Sequence, residues 1–287
     1  GVEPKYAARK LVLGKSALAA AGLKKYIGLD DDAVFGNMML DREAAIELEF
    51  LLHGSKEDVD NFNYVFQGTA ETNLPPHVKD DVRRGEYHGG ALQPGDYDKG
   101  HAGMTLNHFV THETSHIAGL KRCHVLVLRL YTSNSFGRFN RPLRGGDNPH
   151  PFRMSVYVLA EAIKMLRVVN AKLHSEKFNQ VEWLYRGMKD MEVDAREIAK
   201  LGGVELSLMS TTADINIALK YAQSRCALVF KYKTQAMTRG SSIQFLSLYP
   251  KENEVLYPPL TFLTALGELY QENGINFLEL LPDLSAG

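Results

Sequence analysis

The stretch Tyr249-Pro250-Lys251-Glu252-Asn253-Glu254-Val255-Leu256-Tyr257-Pro258-Pro259 decides the reading of this chain. It is a turn opening into a strand. Tyr249-Pro250 closes the run Ile243-Gln244-Phe245-Leu246-Ser247-Leu248, whose apolar and polar positions alternate as a half-buried strand requires. Val255-Leu256-Tyr257 resumes extended structure, and Pro258-Pro259 cannot continue a central ladder. Glu252 and Glu254 stand two residues apart and point the same way if the step between them is extended. Two carboxylates on one side repel unless a cation lies between them. Taken alone, such a pair is a solvated acidic turn. The segments upstream give it another meaning.

Three of those segments place polar groups at strand edges. Glu182-Trp183-Leu184-Tyr185-Arg186-Gly187 reads as a strand with Arg186 projecting from apolar surroundings. A buried guanidinium needs an anion, and a diphosphate suits its bidentate fork. Gly187 lets another group approach the backbone closely. Leu206-Ser207-Leu208-Met209-Ser210-Thr211-Thr212 reads as a second strand ending in hydroxyls, followed by a helix from about Asp214 to Ser224 that carries Tyr221. Thr212 or Asp214 can cap that helix. Strands are also expected from Cys226 to Lys233 and from Ile275 to Leu280. Further upstream, Tyr131, Phe136 and Asn140 fall at i, i+5 and i+9, roughly one side of a helix, where both aromatics also suit a core. A long helix is expected from Met154 to Ala171.

Composition limits the alternatives. The chain has 287 residues, 45% hydrophobic and 23% charged, enough for one large or two ordinary domains with a sizeable core. A net charge of -1 offers no electrostatic case for nucleic acid. The two cysteines, Cys123 and Cys226, form no C-x-x-C and argue against a disulfide scaffold or a thiolate zinc site. No apolar run approaches the roughly 18 residues of a membrane helix, so no membrane is expected. Gly1 stands where an initiator Met would, and the chain reads as trimmed or as part of something longer; the expectation is an intracellular, cytoplasmic protein.

The N-terminal third reads as helical over residues 5–27 and over Asp41–His53, the latter capped by Asp41 and stopped by Gly54. Gly14-Lys15-Ser16 lacks the first glycine of a phosphate-binding loop, because position 9 is Arg9. Residues 85–103 are glycine-rich and polar, as in a surface loop. His112-Glu113-Thr114-Ser115-His116 is a literal H-E-x-x-H. On one helix over 105–121 it would place two imidazoles on one face for zinc, with Glu113 as base. The third ligand of the longer pattern would fall on Arg122, and a catalytic zinc needs three protein ligands.

An arginine on one strand, Ser210-Thr211-Thr212 on the next and Glu252-x-Glu254 on a later turn, in that order, resembles the R-S-E class of mono-ADP-ribosyltransferases. The resemblance extends to Tyr185-Arg186-Gly187, to the flanks of the acidic turn from Tyr249 to Pro259, and to Tyr131, Phe136 and Asn140. It covers about residues 125–287 and includes both the vertebrate arginine-specific enzymes and the ADP-ribosylating toxins. Thr212 stands where the family often has Ser, Phe136 where toxins often have Tyr, and Gly187 where some toxins have a second Arg; Arg225 is a candidate second cation.

The resemblance implies an α+β protein: an ADP-ribosyltransferase-like core of two facing mixed β-sheets around an NAD cleft in a catalytic domain over 121–287, behind a mostly helical region over 1–120. It implies NAD as substrate, no metal, and a partner protein with an exposed arginine. Loss of nicotinamide leaves an oxocarbenium-like ribose, which calls for positioning and a carboxylate more than for a strong nucleophile. By the resemblance, Glu254 stabilises that cation, Ser210 holds Glu254 or the ribose, Arg186 binds the diphosphate and the Gly187 backbone meets the carboxamide. Tyr131, Phe136 and Asn140 contact NAD and Tyr221 stacks on the nicotinamide. Glu252 orients and helps deprotonate the acceptor guanidinium, and Tyr249 faces the protein substrate. The alternatives are NAD hydrolysis with water as acceptor, an inactive NAD-binding module, and zinc proteolysis through His112 and His116.

Overall fold

The computed structural model describes residues 11–13, 22–69, 74–79, 96–173, 179–189, 195–225 and 227–284. The N-terminal part is strand β1 (Leu11–Leu13) and helices α1 (Leu23–Tyr26), α2 (Asp32–Leu40), α3 (Arg42–His53) and α4 (Lys56–Gln67). Five helices follow: α5 (Leu106–Val110), α6 (Glu113–Ala118), α7 (Arg122–Tyr131), α8 (Phe136–Gly145) and α9 (Arg153–Leu173). The remainder is β2 (Glu182–Met188), α10 (Ala195–Leu201), β3 (Gly203–Glu205), β4 (Met209–Thr212), α11 (Ile215–Ala222), β5 (Leu228–Thr234), β6 (Ser241–Ser242), β7 (Glu254–Tyr257), β8 (Thr261–Ala265), β9 (Tyr270–Glu272) and β10 (Ile275–Asp283).

The strands form one hydrogen-bonded path, β1-β3-β8-β10-β5-β2-β4-β7-β6, with β9 on β10. Among the described residues only β5 and β10 run parallel, so the sheet is mixed. The two expected sheets meet in this path at a single pair, Tyr185 with Thr212 between β2 and β4. That thin junction lies beside Arg186 and the Ser-Thr-Thr run, which brings two distant strands to one cleft.

The helices pack a core of their own against the sheet's β3 to β4 side. Phe50 of α3 meets Phe139 and Phe152 at centroid distances of 6.2 and 5.2 Å, with Ile46, Val125, Leu128, Leu159 and Leu208 in the same buried cluster. Glu49 is buried and accepts from Met154 N, Ser155 N and Ser155 Oγ at 2.6, 2.9 and 2.7 Å. It serves the donors that α9 leaves without partners in its first turn. No helix among the described residues is long and apolar enough to cross a membrane.

Several expected elements take another form. Of residues 5–27, those up to 10 and 14–21 lie outside the described residues. Leu11–Leu13 is a strand, drawn into extension by antiparallel pairing with Gly203–Glu205, and only Leu23–Tyr26 is helical. The helix expected over 105–121 is broken into α5 and α6, because His112 is the N-cap of α6 and its Nδ1 accepts from Thr114 N at 3.2 Å. Residues 243–248 form a 3-10 turn over Gln244–Leu246 rather than a strand. Their backbone is held from the helical layer: Arg129 Nη1 donates to Leu246 O at 2.8 Å, and Leu248 N donates to Thr132 Oγ1 at 3.0 Å. The strand expected over Leu206–Thr212 begins at Met209, since Ser207 turns back to donate through N and Oγ to Glu205 Oε1 at 3.2 and 2.6 Å. Of the polar loop expected over 85–103, residues 85–95 lie outside the described residues. Asp96 and Asp98 are buried rather than at the surface, each beside a cation.

Arg129 is wholly buried, with Nη2 2.7 Å from Asp98 Oδ2 and its guanidinium 4.1 Å from the centre of the Phe109 ring. Asp98 also accepts from Tyr64 Oη at 2.9 Å and lies 2.6 Å from His101 Nδ1. Removing one member of a buried pair leaves the other charge without compensation. Arg129→Met is therefore expected to lower the unfolding free energy by about 3–5 kcal/mol, read from chemical denaturation midpoints.

Candidate active site

A cavity of about 590 Å³ opens where β2, β4 and the acidic turn meet helices α7, α8 and α11. Ten residues that the family resemblance points to line it: Tyr131, Phe136, Asn140, Arg186, Gly187, Ser210, Tyr221, Tyr249, Glu252 and Glu254. The fold thus joins positions more than a hundred residues apart.

The carboxylates reach the cavity by a different route from the expected one. The Glu252-to-Glu254 step is not extended: Pro250–Glu252 is a 3-10 turn and Asn253 sits in the left-handed region at φ 48°. Asparagine tolerates that conformation better than most residues. The turn is fastened from below by Thr212, whose Oγ1 donates to Glu252 O at 2.7 Å, and from the side by Gln244 Nε2, which donates to Asn253 Oδ1 at 2.6 Å. Glu254 then enters β7 opposite Thr212 and diagonal to Ser210. It is only 6% exposed, and Ser210 lines the same cavity. Burial, then the neighbouring Glu252 charge, push the Glu254 carboxyl up to about 8, against the opposing pull of Ser210 and Arg186. Burial raises Glu252 as well, opposed by Tyr221, whose Oη donates to Glu252 Oε1 at 2.6 Å.

Arg186 already has a protein anion. Its Nη1 donates to Glu205 Oε2 at 3.0 Å. Burial works against the charge, and Glu205 together with Tyr232 and Tyr131 more than offsets it, so the guanidinium stays charged with its pKa above the ordinary value. The anion inferred from sequence for Arg186 is, in this structure, a carboxylate from β3. Glu205 gave no sign of this, because nothing in sequence links positions 186 and 205. A second unforeseen residue is Arg144. It lines the cavity one helical turn beyond Asn140, and that i+4 spacing was a usable signal. Its Nε lies 3.7 Å from Glu205 Oε1, too far for a hydrogen bond, and is buried without a hydrogen-bond partner among the described residues. Burial lowers its pKa, and Arg186 adds to that effect. Arg141 lines the same wall, while Arg225 is exposed and is not among the lining residues.

Tyr131, Phe136 and Asn140 lie on two helices, α7 and α8, rather than on one. The turn between them places Tyr131 in the buried wall, hydrogen-bonded from Asn140 Nδ2 at 3.2 Å, while Asn140 Oδ1 accepts from Leu208 N at 3.1 Å. Phe136 is 51% exposed, so it is not a core aromatic. Asp214, not Thr212, caps α11, accepting from Asn216 N at 2.8 Å. The H-E-x-x-H residues do not converge: the His112 ring stacks on Phe245 at 4.7 Å and His116 is exposed. Among the described residues no group of three or more His, Cys, Asp or Glu side chains is placed to hold a metal ion.

The fold is that of the mono-ADP-ribosyltransferases. It superposes on the eucaryotic mono-ADP-ribosyltransferase ART2.2, as a mutant in complex with NADH, with a TM-score of 0.53 at 14% identity, over 96% of this chain and 93% of that one. A second ART2.2 structure gives a TM-score of 0.50 at 16% identity over 96% of each chain. Exoenzyme S from Pseudomonas aeruginosa matches at a TM-score of 0.44 and 20% identity, over 58% of this chain and 78% of that one. No curated protein matches by sequence search. Residues 102–280, more than half of the chain, match the family model for NAD:arginine ADP-ribosyltransferases, and the chain belongs to that family.

Gly187 has a structural task. A Cβ there would run into Ala218 O and stand 2.6 Å from Ala222 N and 2.9 Å from Tyr221 Cβ. Helix α11 rests directly on the β2 backbone at this point. Gly187→Ala is therefore expected to push α11 outward at a cost of about 1–3 kcal/mol in unfolding free energy. A structure of the variant should show the Tyr221–Glu252 hydrogen bond broken.

Proposed function

We propose that this chain cleaves NAD at the bond between nicotinamide and ribose and transfers ADP-ribose to the guanidino nitrogen of a protein arginine. The observation that carries this reading is the placement of Glu254, buried in the β4–β7 ladder, in one cavity with Ser210 and the more accessible Glu252. The cavity volume suits a ligand of nucleotide size. Arg144, with a buried Nε that lacks a partner, and Arg141 suit the diphosphate, and Arg186 acts behind them as the Glu205-bound cation of the floor. Phe136 and Tyr221 supply rings at the mouth, Tyr131 and Asn140 the inner wall, and the Gly187 backbone a contact for the carboxamide.

In the reaction the C1′–N bond breaks with its electron pair leaving on nicotinamide, whose ring nitrogen thereby becomes neutral. Ionised Glu254 faces the cationic ribose that remains, and a fixed carboxylate in a dry site stabilises that charge without reorganising. The acceptor nitrogen then bonds to C1′ and surrenders its proton, for which Glu252 is the nearest base. Glu252 must exchange the Tyr221 hydrogen bond for the guanidinium, and Tyr249 flanks the approach. Water in place of the guanidinium gives NAD hydrolysis with the same residues.

Labelled NAD with agmatine tests the reading. Glu254→Gln should abolish both nicotinamide release and the ADP-ribosyl-agmatine adduct. Glu252→Gln should lower adduct formation about 100-fold or more, in the range of a lost general base, and leave nicotinamide release to water. Equal loss of both in Glu252→Gln sinks the role given to Glu252.

The pH dependence follows from the buried Glu254. Its folded pKa is raised, so the ionised form needed for catalysis accumulates only as pH climbs. kcat/KM for NAD, which reports the free enzyme, should rise and level off above about 8. Glu252→Gln removes one cause of that shift and should move the rise in nicotinamide release to lower pH. The same shift makes the fold most stable below the ordinary carboxylate value, and the denaturation midpoint should fall as pH rises through about 8.

A further inference from the structure

Just before the residues matched by the family model, which begin at 102, three consecutive residues lie against the acidic turn. Asp96, 6% exposed in its side chain, forms an ion pair with Lys251. The Tyr97 ring packs edge-on against Tyr249 at a centroid distance of 5.4 Å. Asp98 N donates to Leu248 O at 2.6 Å. Residues 96, 97 and 98 thus face 251, 249 and 248 in reverse order. Behind them, Arg129 grips the Asp98 carboxylate and Leu246 O together, and Tyr64 packs on Tyr97 at 5.7 Å.

We propose that Asp96-Tyr97-Asp98 is a brace that positions the acceptor-facing end of the acidic turn, making Asp96 and Tyr97 positioning residues for the arginine acceptor and not for NAD. The inference rests on the arginine-transfer reading of the site. Its physical basis is that the two halves of the site are anchored separately. Glu254 and Ser210 are held by the β4–β7 ladder, and Arg186 by Glu205. Tyr249 and Lys251 lie outside that ladder, and the brace ties their side chains to the rigid helical layer, beside the hydrogen bond from Leu248 N to Thr132 Oγ1. The far end is tied to the sheet through Thr212 and Glu252 O. A turn that loses one of its side-chain anchors samples more positions, and an acceptor pays for that as lost affinity.

The test compares Asp96→Asn, Lys251→Gln, the double variant, Tyr97→Phe and Tyr97→Ala. With agmatine as acceptor, Asp96→Asn should raise the acceptor KM about fivefold, a coupling of the size one ion pair transmits. kcat and nicotinamide release without agmatine should stay at wild-type values. The double variant should be no worse than either single one. Tyr97→Phe keeps the ring edge and should behave as wild type, whereas Tyr97→Ala should resemble Asp96→Asn. A parallel fall in nicotinamide release and transfer, or an unchanged KM in Asp96→Asn, would overturn the brace. Amide exchange over 249–253 provides a readout that does not depend on the acceptor. Should the wild type form no agmatine adduct, the transfer reading fails, and the brace is then judged on exchange alone: faster in Asp96→Asn supports it, and unchanged exchange refutes it.

Discussion

The structure depends on a charge pair in the floor of its cleft. Arg186 projects from β2 into the cavity wall, largely shielded from solvent, and the buried Glu205, at the end of β3, supplies the anion at 3.0 Å. Breaking such a pair leaves an uncompensated charge in the interior, so each partner dictates the position of the other. Glu205 is itself fixed by Ser207, whose turn back onto the carboxylate ends β3 and delays the start of β4 to Met209. The same carboxylate faces Arg144 on α8 and thereby ties the helical layer to the sheet. One anion thus orders a strand, a bend and a helix around the cavity, while Arg144 keeps a buried donor for a further acceptor.

Around that floor the site sets two carboxylates against each other. Glu254 is buried in a ladder beside Ser210, and Glu252 sits on a tight turn with Tyr221 donating to it. Burial raises the proton affinity of both, and the neighbouring Glu252 charge adds to the effect on Glu254. The family to which the chain belongs works on NAD, where nicotinamide departs as the ribose becomes cationic. A carboxylate costly to ionise in the empty cleft gains most when a cation forms beside it. The tension between Glu252 and Glu254 therefore serves the reaction proposed for them.

The helical layer does more than complete the fold. Its aromatic core of Phe50, Phe139 and Phe152 fixes α8, which carries Asn140 and Arg144. Its buried Arg129 reaches across to hold the backbone before the acidic turn. The Thr132 hydroxyl does the same two residues later. The acidic turn is therefore suspended between the sheet and the helices.

The sequence by itself determined the family, and it named residues that the fold gathers in one cavity. Arg186, Ser210, Glu252, Glu254 and their aromatic company all line one cavity. The helices over 42–53 and 153–173 also follow from caps and apolar spacing that are local in the chain. What only the tertiary structure decided is how those residues are partnered. Glu205 is invisible from Arg186 in sequence, because an ion pair between strands depends on register and not on spacing. The alternation in 243–248 suggested a strand, yet long-range bonds from Arg129 and Thr132 bent the segment into a 3-10 turn. Leu11–Leu13 lay in a stretch of helical composition but became a strand, because an open edge at β3 offered backbone partners. His112 and His116 matched a zinc motif letter for letter, yet the His112 ring stacks on Phe245 and His116 is exposed. Local propensity is weak against burial and hydrogen-bond satisfaction, so the chain declares which residues are present and the fold decides what each one touches.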